Sequence, residues 1–294
     1  MEGLRQWNKG REHGEHAIVQ ASFAVGLAAP TPLHTVRELQ ALHSKFKGDY
    51  PRERTIQGAA IGIPELVQGT LQLGAQTTPI GFIFDSLKPN GEVLRSISLD
   101  GTTLSVQSAD YLTWEETWAE VRSVFAQMLP LVLSRSELVS FHLHYHDRFV
   151  WEREAQEFKS NLVFREGSPF IAQNVFAAPE LWHNYHGYFE YPEVPSPHQL
   201  LTLAEVQLLP PENVGLKDER GVVADLKLTH RAILGVDRAG GKAKPVNDPK
   251  EVLGTDEDGL LDAYMTKMHD ADKWLLARLI TDELCDEIGI DRPT

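Results

Sequence analysis

Three histidines stand two residues apart, His142, His144 and His146, inside the run SELVSFHLHYHDRFVW. Alternate residues of a strand share one face, about 6.8 Å apart per step. Imidazoles at that spacing can share a divalent transition metal, with a further ligand from another element completing the site. Asp147 and His230 are the candidates for that ligand. Three close imidazoles also resist joint protonation, which would make a pH-sensitive patch. The simpler reading is a row of histidines facing solvent or bonded across strands. A second cluster, PELWHNYHGYFEYPEVPSPH, spans Pro179 to His198. Trp182, His183, Tyr185, His186, Tyr188, Phe189 and Tyr191 are its partner-binding candidates, because Trp and Tyr dominate interface energetics. His183 and His186 are three apart and would align on a helix, but no second ligand pair accompanies them.

Other chemical signals are weaker. No Gly-x-Ser-x-Gly elbow occurs. Cys285, the only cysteine, excludes an intramolecular disulfide and reads as a half-buried structural thiol rather than a nucleophile. Gly240-Gly241-Lys242 lacks the rest of a phosphate-binding loop and reads as an ordinary loop. Asp256, Glu257 and Asp258 lack a calcium-loop pattern and would supply favourable charge at a helix N-terminus. No catalytic residue and no cofactor-binding residue is assigned. No cofactor is expected, the alternative being a divalent transition metal at the three histidines.

The elements that must position these residues are legible along the 294-residue chain. Residues 1–16 are polar and read as a flexible leader or a segment that docks on a partner. Ala17 to Leu27 reads as a largely buried strand. Thr35, with Glu38 three residues on, has capping-box spacing for a helix carrying Val36, Leu39, Leu42 and Phe46. Residues 52–79 lack long periodicity and read as a loop with short strands or a helical turn. From Gly81 to Val106 the turns KPNG and Asp100-Gly101 divide a three-stranded antiparallel meander. Thr113 caps a helix over 114–134, with Pro130 bending or fraying its last turn. Strands follow at 138–151, 200–209 and 221–234. A long helix from about Glu257 to Ile288 ends at Gly289. The acids Asp282, Glu283, Asp286 and Glu287 would then oppose that helix's dipole.

This order predicts an α+β fold, with antiparallel sheets and long helices packed on one face. The element plan strand, helix, strands, helix occurs twice. That suggests a leader (1–16), an N-terminal half (17–136) and a C-terminal half (137–294), possible pseudo-repeats by element order alone. At about 150 residues per domain, the length suggests two domains or one large one. Hydrophobic residues make up 42% and charged residues 24%, as in globular chains, and the net charge is −14. Such acidity repels phosphate backbones, leaving a nucleic-acid role only for a mimic or a local basic groove. No apolar run approaches the roughly 20 residues that span a bilayer, and the N-terminus lacks a signal region. A cytoplasmic protein without a membrane partner is expected.

Three blocks carry a resemblance. The first is the strand AIVQASF with the meander ending Leu99-Asp100-Gly101 and the helix TWEETWAEVRSVF. The second is LHYHD, Leu143 to Asp147, and the third is HDADKWLLARLITDELCDEIG, His269 to Gly289. Together they resemble a sporadically distributed prokaryotic family known by a serial label, without an assigned function. The likeness runs from about Ala17 to Gly289. Its most specific pieces are the helix headed by Trp114 and the stretch Leu279 to Glu283. That family's central strand reads Leu-Arg-Tyr, an apolar residue, then Asn or Asp. Leu143, Tyr145 and Asp147 fit, whereas His144 and His146 replace the Arg and the apolar residue. The resemblance implies a fold and a cellular type, and no catalytic residue. The expectation is a non-enzymatic protein-binding accessory or regulatory subunit of a prokaryotic system, with the family's patchy distribution suggesting defence or toxin-linked loci. Its partner would be another protein. The alternative is a metal-dependent enzyme or metal sensor built on the His-x-His-x-His strand.

Overall fold

The computed structural model describes residues 4–6, 17–61, 65–67, 70–72, 75–178, 181–210, 213, 221–242, 244–255 and 258–292. Twelve strands and six α-helices alternate along them. They are β1 (Leu4–Gln6), β2 (Ile18–Leu27), α1 (Leu33–Ala41), α2 (His43–Phe46), β3 (Arg52–Ile61), β4 (Glu65–Val67), β5 (Thr70–Gln72), β6 (Ala75–Leu87), β7 (Val93–Asp100), β8 (Thr103–Ser108), α3 (Trp114–Leu133), β9 (Leu138–Trp151), β10 (His183–Glu190), β11 (His198–Leu209), β12 (Val222–Leu234), α4 (Pro249–Leu253), α5 (Leu260–Leu279) and α6 (Asp282–Glu287). Short 3-10 turns fill part of the link from β9 to β10.

One antiparallel sheet holds the order β10-β11-β12-β9-β2-β8-β7-β6-β3, and β1 pairs with the end of β9. β4 and β5 form a separate small hairpin. β2 and β9 lie side by side at the centre, flanked by β8-β7-β6 on one side and β12-β11-β10 on the other. The fold is α+β, as the element pattern predicts. Both proposed halves contribute to a single sheet.

Period-2 alternation decides which face the helices cover. Phe23 and Val25 of β2, Phe82 and Phe84 of β6, Ile97 and Leu99 of β7, and Phe141 and Leu143 of β9 all point into one core. α3 adds Val121, Phe125, Met128, Leu129 and Val132, and α5 adds Leu261, Tyr264, Met265 and Met268. Each such side chain contributes about 1.5–3 kcal/mol when fully buried. A second cluster, with Phe149, Phe164, Val206, Leu226, Leu275, Leu279 and Leu284, continues under the other end of the sheet. Cys285 belongs to it and is fully buried rather than half-buried. Among the described residues, no helix is long and apolar enough to cross a membrane.

Several local expectations change. Pro32 occupies the N-cap of α1, and Thr35 lies inside the helix, buried. Arg52 to Ile61 and Ala75 to Leu87 pair as long strands. β3 is an edge strand whose first residues are exposed, so no apolar alternation marks it. α3 runs past Pro130 to Leu133. The C-terminal helix is broken: Ile280 is extended and bridges to Phe164, and Thr281 then caps α6 by accepting the Leu284 N–H. Asp282 and Glu283 therefore stand in a first turn, where acids are favourable, rather than opposing a dipole. Of the 1–16 leader, Leu4–Gln6 form β1; the remainder, with His13 and His16, and Asp256 and Glu257 lie outside the described residues.

Candidate functional site

The face of the sheet away from the helices carries a polar surface whose composition follows from strand register. One row crosses all nine strands: Phe189, Leu201, Arg231, His142, Ala24, Ser105, Ser98, Ile83 and Arg54. The adjacent row reads Gly187, Leu203, Thr229, His144, Ser22, Gln107, Ser96, Asp85 and Arg52. A third begins Tyr185, Glu205, Lys227, His146 and Gln20. The three histidines of β9 thus share one face, at its centre.

Each imidazole has its own hydrogen-bond partner. His142 Nε2 pairs with Ser140 Oγ at 2.9 Å. Gly26 stands opposite on β2 and leaves this space open, since a Cβ there would meet Ser140 Oγ at 2.2 Å. His144 Nδ1 pairs with Thr229 Oγ1 at 2.8 Å. His146 Nε2 donates to Asp225 Oδ1 at 2.6 Å, and Arg148 Nε donates to the same oxygen at 2.8 Å. Burial, and secondarily Arg231, lowers the His142 pKa to about 4. Burial and the neighbouring His146 do the same for His144. Both rings are therefore neutral at physiological pH, so neither supplies a switch between pH 5 and 8. Among the described residues, no three His, Cys, Asp or Glu side chains gather as a metal would require. Asp147 and His230 cannot complete the histidine row, because the pleat turns both to the helix side.

The aromatic segment also divides by face. His183 and His186 lie on a strand, three residues apart and therefore on opposite sides, not aligned as on a helix. Trp182, His186 and Tyr188 turn toward the helices. Trp182 Nε1 donates to Ser160 Oγ at 3.0 Å, and Phe170 packs against His186, Tyr188 and Trp274. His183, Tyr185 and Phe189 project from the open face. The Tyr191 hydroxyl accepts from Gln199 Nε2 at 3.1 Å. Tyr185 is 70% exposed, Phe189 56% and Leu203 42%. Leu203 leans over Gly187, where a Cβ would meet its Cδ2 at 2.7 Å, so the three side chains form one apolar patch. Arg231, exposed and without an ion-pair partner among the described residues, stands two strands away. The open face carries Arg52, Arg54, Arg148, Lys227 and Arg231 against Asp85, Asp100, Glu205 and Asp225. The acidity of the chain therefore lies elsewhere.

The helix side holds a constellation that spacing did not single out. Asp147 of β9 and Asp272 of α5 are both buried, and the charge of Asp272 bears on Asp147. Burial first, then Asp272, holds the Asp147 carboxyl well above the usual range. Burial also raises Asp272, against the hydrogen bond from His230. His230 Nε2 lies 3.2 Å from Asp272 Oδ1, and its Nδ1 lies 3.2 Å from Thr202 Oγ1. Tyr145 OH meets His269 Nδ1 at 3.1 Å, and His269 stacks on Trp114 with 4.1 Å between ring centroids. Burial lowers His269 to about 4 and raises the Tyr111 and Tyr145 phenols. The signal in the sequence was a carboxylate at a core position: Asp147 follows Leu143 and Tyr145 on the buried face of β9, and Asp272 falls between Met268 and Leu275 on the apolar stripe of α5. A larger hollow, about 760 Å³, lies beside the 3-10 turns and gathers no such cluster, Lys159 and Glu166 being its charged lining. Compared with known proteins, the chain matches no family model, no curated protein and no solved structure.

Proposed function

We propose that this chain is a protein-binding module that holds its partner on the open face of the sheet, at the β10–β11 end. The observation that supports this most is the exposed patch of Tyr185, Leu203 and Phe189. Contiguous exposed aromatic and aliphatic side chains with a polar surround are the usual centre of a protein interface. The cationic Arg231 beside it favours a partner that presents apolar side chains together with a carboxylate. β10 is also the sheet edge, so an extended partner segment could add to it by backbone hydrogen bonds. The finer reading, an accessory subunit of a prokaryotic defence or toxin-linked system, rests on the family resemblance alone.

The test is a pull-down from the native host with the wild-type chain and with Tyr185→Ala/Leu203→Ser/Phe189→Ala, read by quantitative mass spectrometry. The expected result is one protein recovered in stoichiometric amount by the wild type and depleted at least about tenfold by the triple variant, as loss of roughly 1.4 kcal/mol or more requires. Equal recovery by both chains would move the interface off this face. The same sample, purified without a histidine tag, is assayed for bound metal. Stoichiometric zinc, nickel or iron would favour the alternative reading, a metal site on the β9 histidines.

A further inference from the structure

Asp147 is 1% exposed, and its Oδ2 has no hydrogen-bond partner among the described residues. Leaving a buried carboxyl oxygen without a donor is costly, and native chains keep such atoms where a bound species satisfies them. Asp147 belongs to the lining of a cavity of about 320 Å³, at the small end of the range for ligand pockets, roughly 300–1,000 Å³. Trp114, Tyr111, Tyr145 and Leu276 supply aromatic and aliphatic wall, and Asp272 adds a second carboxyl.

The surrounding groups do not provide the missing donor. Tyr145 OH is taken by His269, and His230 faces Asp272. Lys273 also lines the cavity, but its ammonium makes no hydrogen bond to Asp147 Oδ2. We propose that this cavity binds a small organic cation, an alkylammonium or guanidinium. Its N–H groups donate to Asp147, and its apolar part lies against Trp114 and Tyr111. The wall decides between this class and a metal ion. A hard divalent cation takes six or more oxygens, and zinc takes at least three protein ligands. Among the described residues no three His, Cys, Asp or Glu side chains converge. An organic cation gains from aromatic faces and needs one carboxylate, and its charge offsets the burial that keeps Asp147 neutral in the empty cavity. The site lies on the helix side of the sheet, so it is independent of partner binding on the open face.

The test is titration of the full chain with n-butylammonium chloride, with n-butanol and sodium butyrate as uncharged and anionic counterparts. Tryptophan fluorescence reads the Trp114 wall, and calorimetry reads the stoichiometry. The expected result is saturable one-to-one binding of n-butylammonium, at least tenfold tighter than n-butanol, and no binding of butyrate. Asp147→Asn should weaken it at least tenfold while keeping the wild-type circular dichroism. Leu276→Trp, which fills the cavity and leaves the carboxyl in place, should block it as well. Binding of n-butanol as tight as the ammonium, unchanged affinity in Asp147→Asn, or no saturable signal with n-butylammonium would each overturn the assignment. Calcium or zinc chloride displacing n-butylammonium stoichiometrically would overturn it in favour of a metal site.

Discussion

Asp225 and Asp147 lie on opposite faces of the β9–β12 pair and act on stability with opposite signs. Burial works to raise the Asp225 carboxyl, but the hydrogen bond and charge of His146 and the Arg148 guanidinium bring it down to about 2. A carboxyl depressed by folding adds stability above its unfolded pKa, near 4, and that contribution is lost as pH falls toward 2. The depression amounts to about 2 kcal/mol. Asp225→Asn should therefore lower the unfolding free energy by about 2 kcal/mol at neutral pH, with the deficit fading between about pH 4 and pH 2. Asp147 is held above its ordinary value, so folding favours its neutral form. Its penalty is absent below about pH 4 and grows as pH rises toward the folded pKa. Asp147→Asn should stabilise the empty protein at neutral pH and be neutral near pH 3. Urea midpoints at both pH values check the pair; parallel curves for the two variants would refute the signs. The residue scale was partly readable in the sequence. The alternation at His142, His144 and His146 placed them on one face, but their partners Thr229 and Asp225 come from a strand about 80 positions away. Asp147 and Asp272 were visible as charges at apolar positions, and only their meeting across the β9–α5 contact reveals what they share.

Among the elements, α3 and α5 cover the centre of the sheet and are tied to each other by one carboxylate. Asp262, in the first turn of α5, accepts from Trp118 Nε1 at 3.0 Å and from Arg122 Nε at 2.9 Å. Arg122 also donates to the Leu253 carbonyl, which fixes the end of α4. Asp262→Ala would leave a buried indole N–H and a partly buried guanidinium without their acceptor. A cost of about 2–3 kcal/mol follows, the Arg122 share being reduced by its exposure. Asp262→Asn keeps one acceptor oxygen and should lose about half as much. Chemical denaturation at neutral pH separates them, and a loss below about 0.5 kcal/mol for Asp262→Ala would mean that packing alone docks the two helices. Elements with one covered face, such as β2, β9 and α3, were legible because burial writes a period into the sequence. β3 and β10 were not. β3 is an edge strand with little to cover, and β10 half-buries His186 and Tyr188 on one side while exposing Tyr185 and Phe189 on the other, so both faces are aromatic. The break at Ile280 was hidden for a different reason. Both α5 and α6 are amphipathic, and the extended residue between them is fixed by its bridge to Phe164 rather than by a local breaker.

For the whole molecule, the question is whether residues 17–136 and 137–294 behave as two bodies. Their element plans are alike, and each contributes a strand to the middle of the sheet. The junction, however, is the β2–β9 pairing, in which Ala21, Phe23 and Val25 lie beside Tyr145, Leu143 and Phe141 over one core. That core mixes α3 of the first part with α5 of the second, through Val121, Phe125, Tyr264 and Met268. Cutting between the parts would expose two long central edges and leave each hydrophobic face half covered, a state prone to edge pairing and aggregation. Cooperative unfolding is the consequence, because neither part retains a complete core when the other is lost. Urea unfolding followed by far-ultraviolet circular dichroism and by tryptophan fluorescence should give coincident single transitions, with Trp114 and Trp118 reporting the first part and Trp182 and Trp274 the second. Separately expressed 17–136 and 137–294 should each lack a cooperative transition, and co-expression should recover the pair as one complex. Two resolved transitions, or a fragment that unfolds cooperatively alone, would make the halves independent domains. The sheet would then be an interface between them rather than the backbone of one fold.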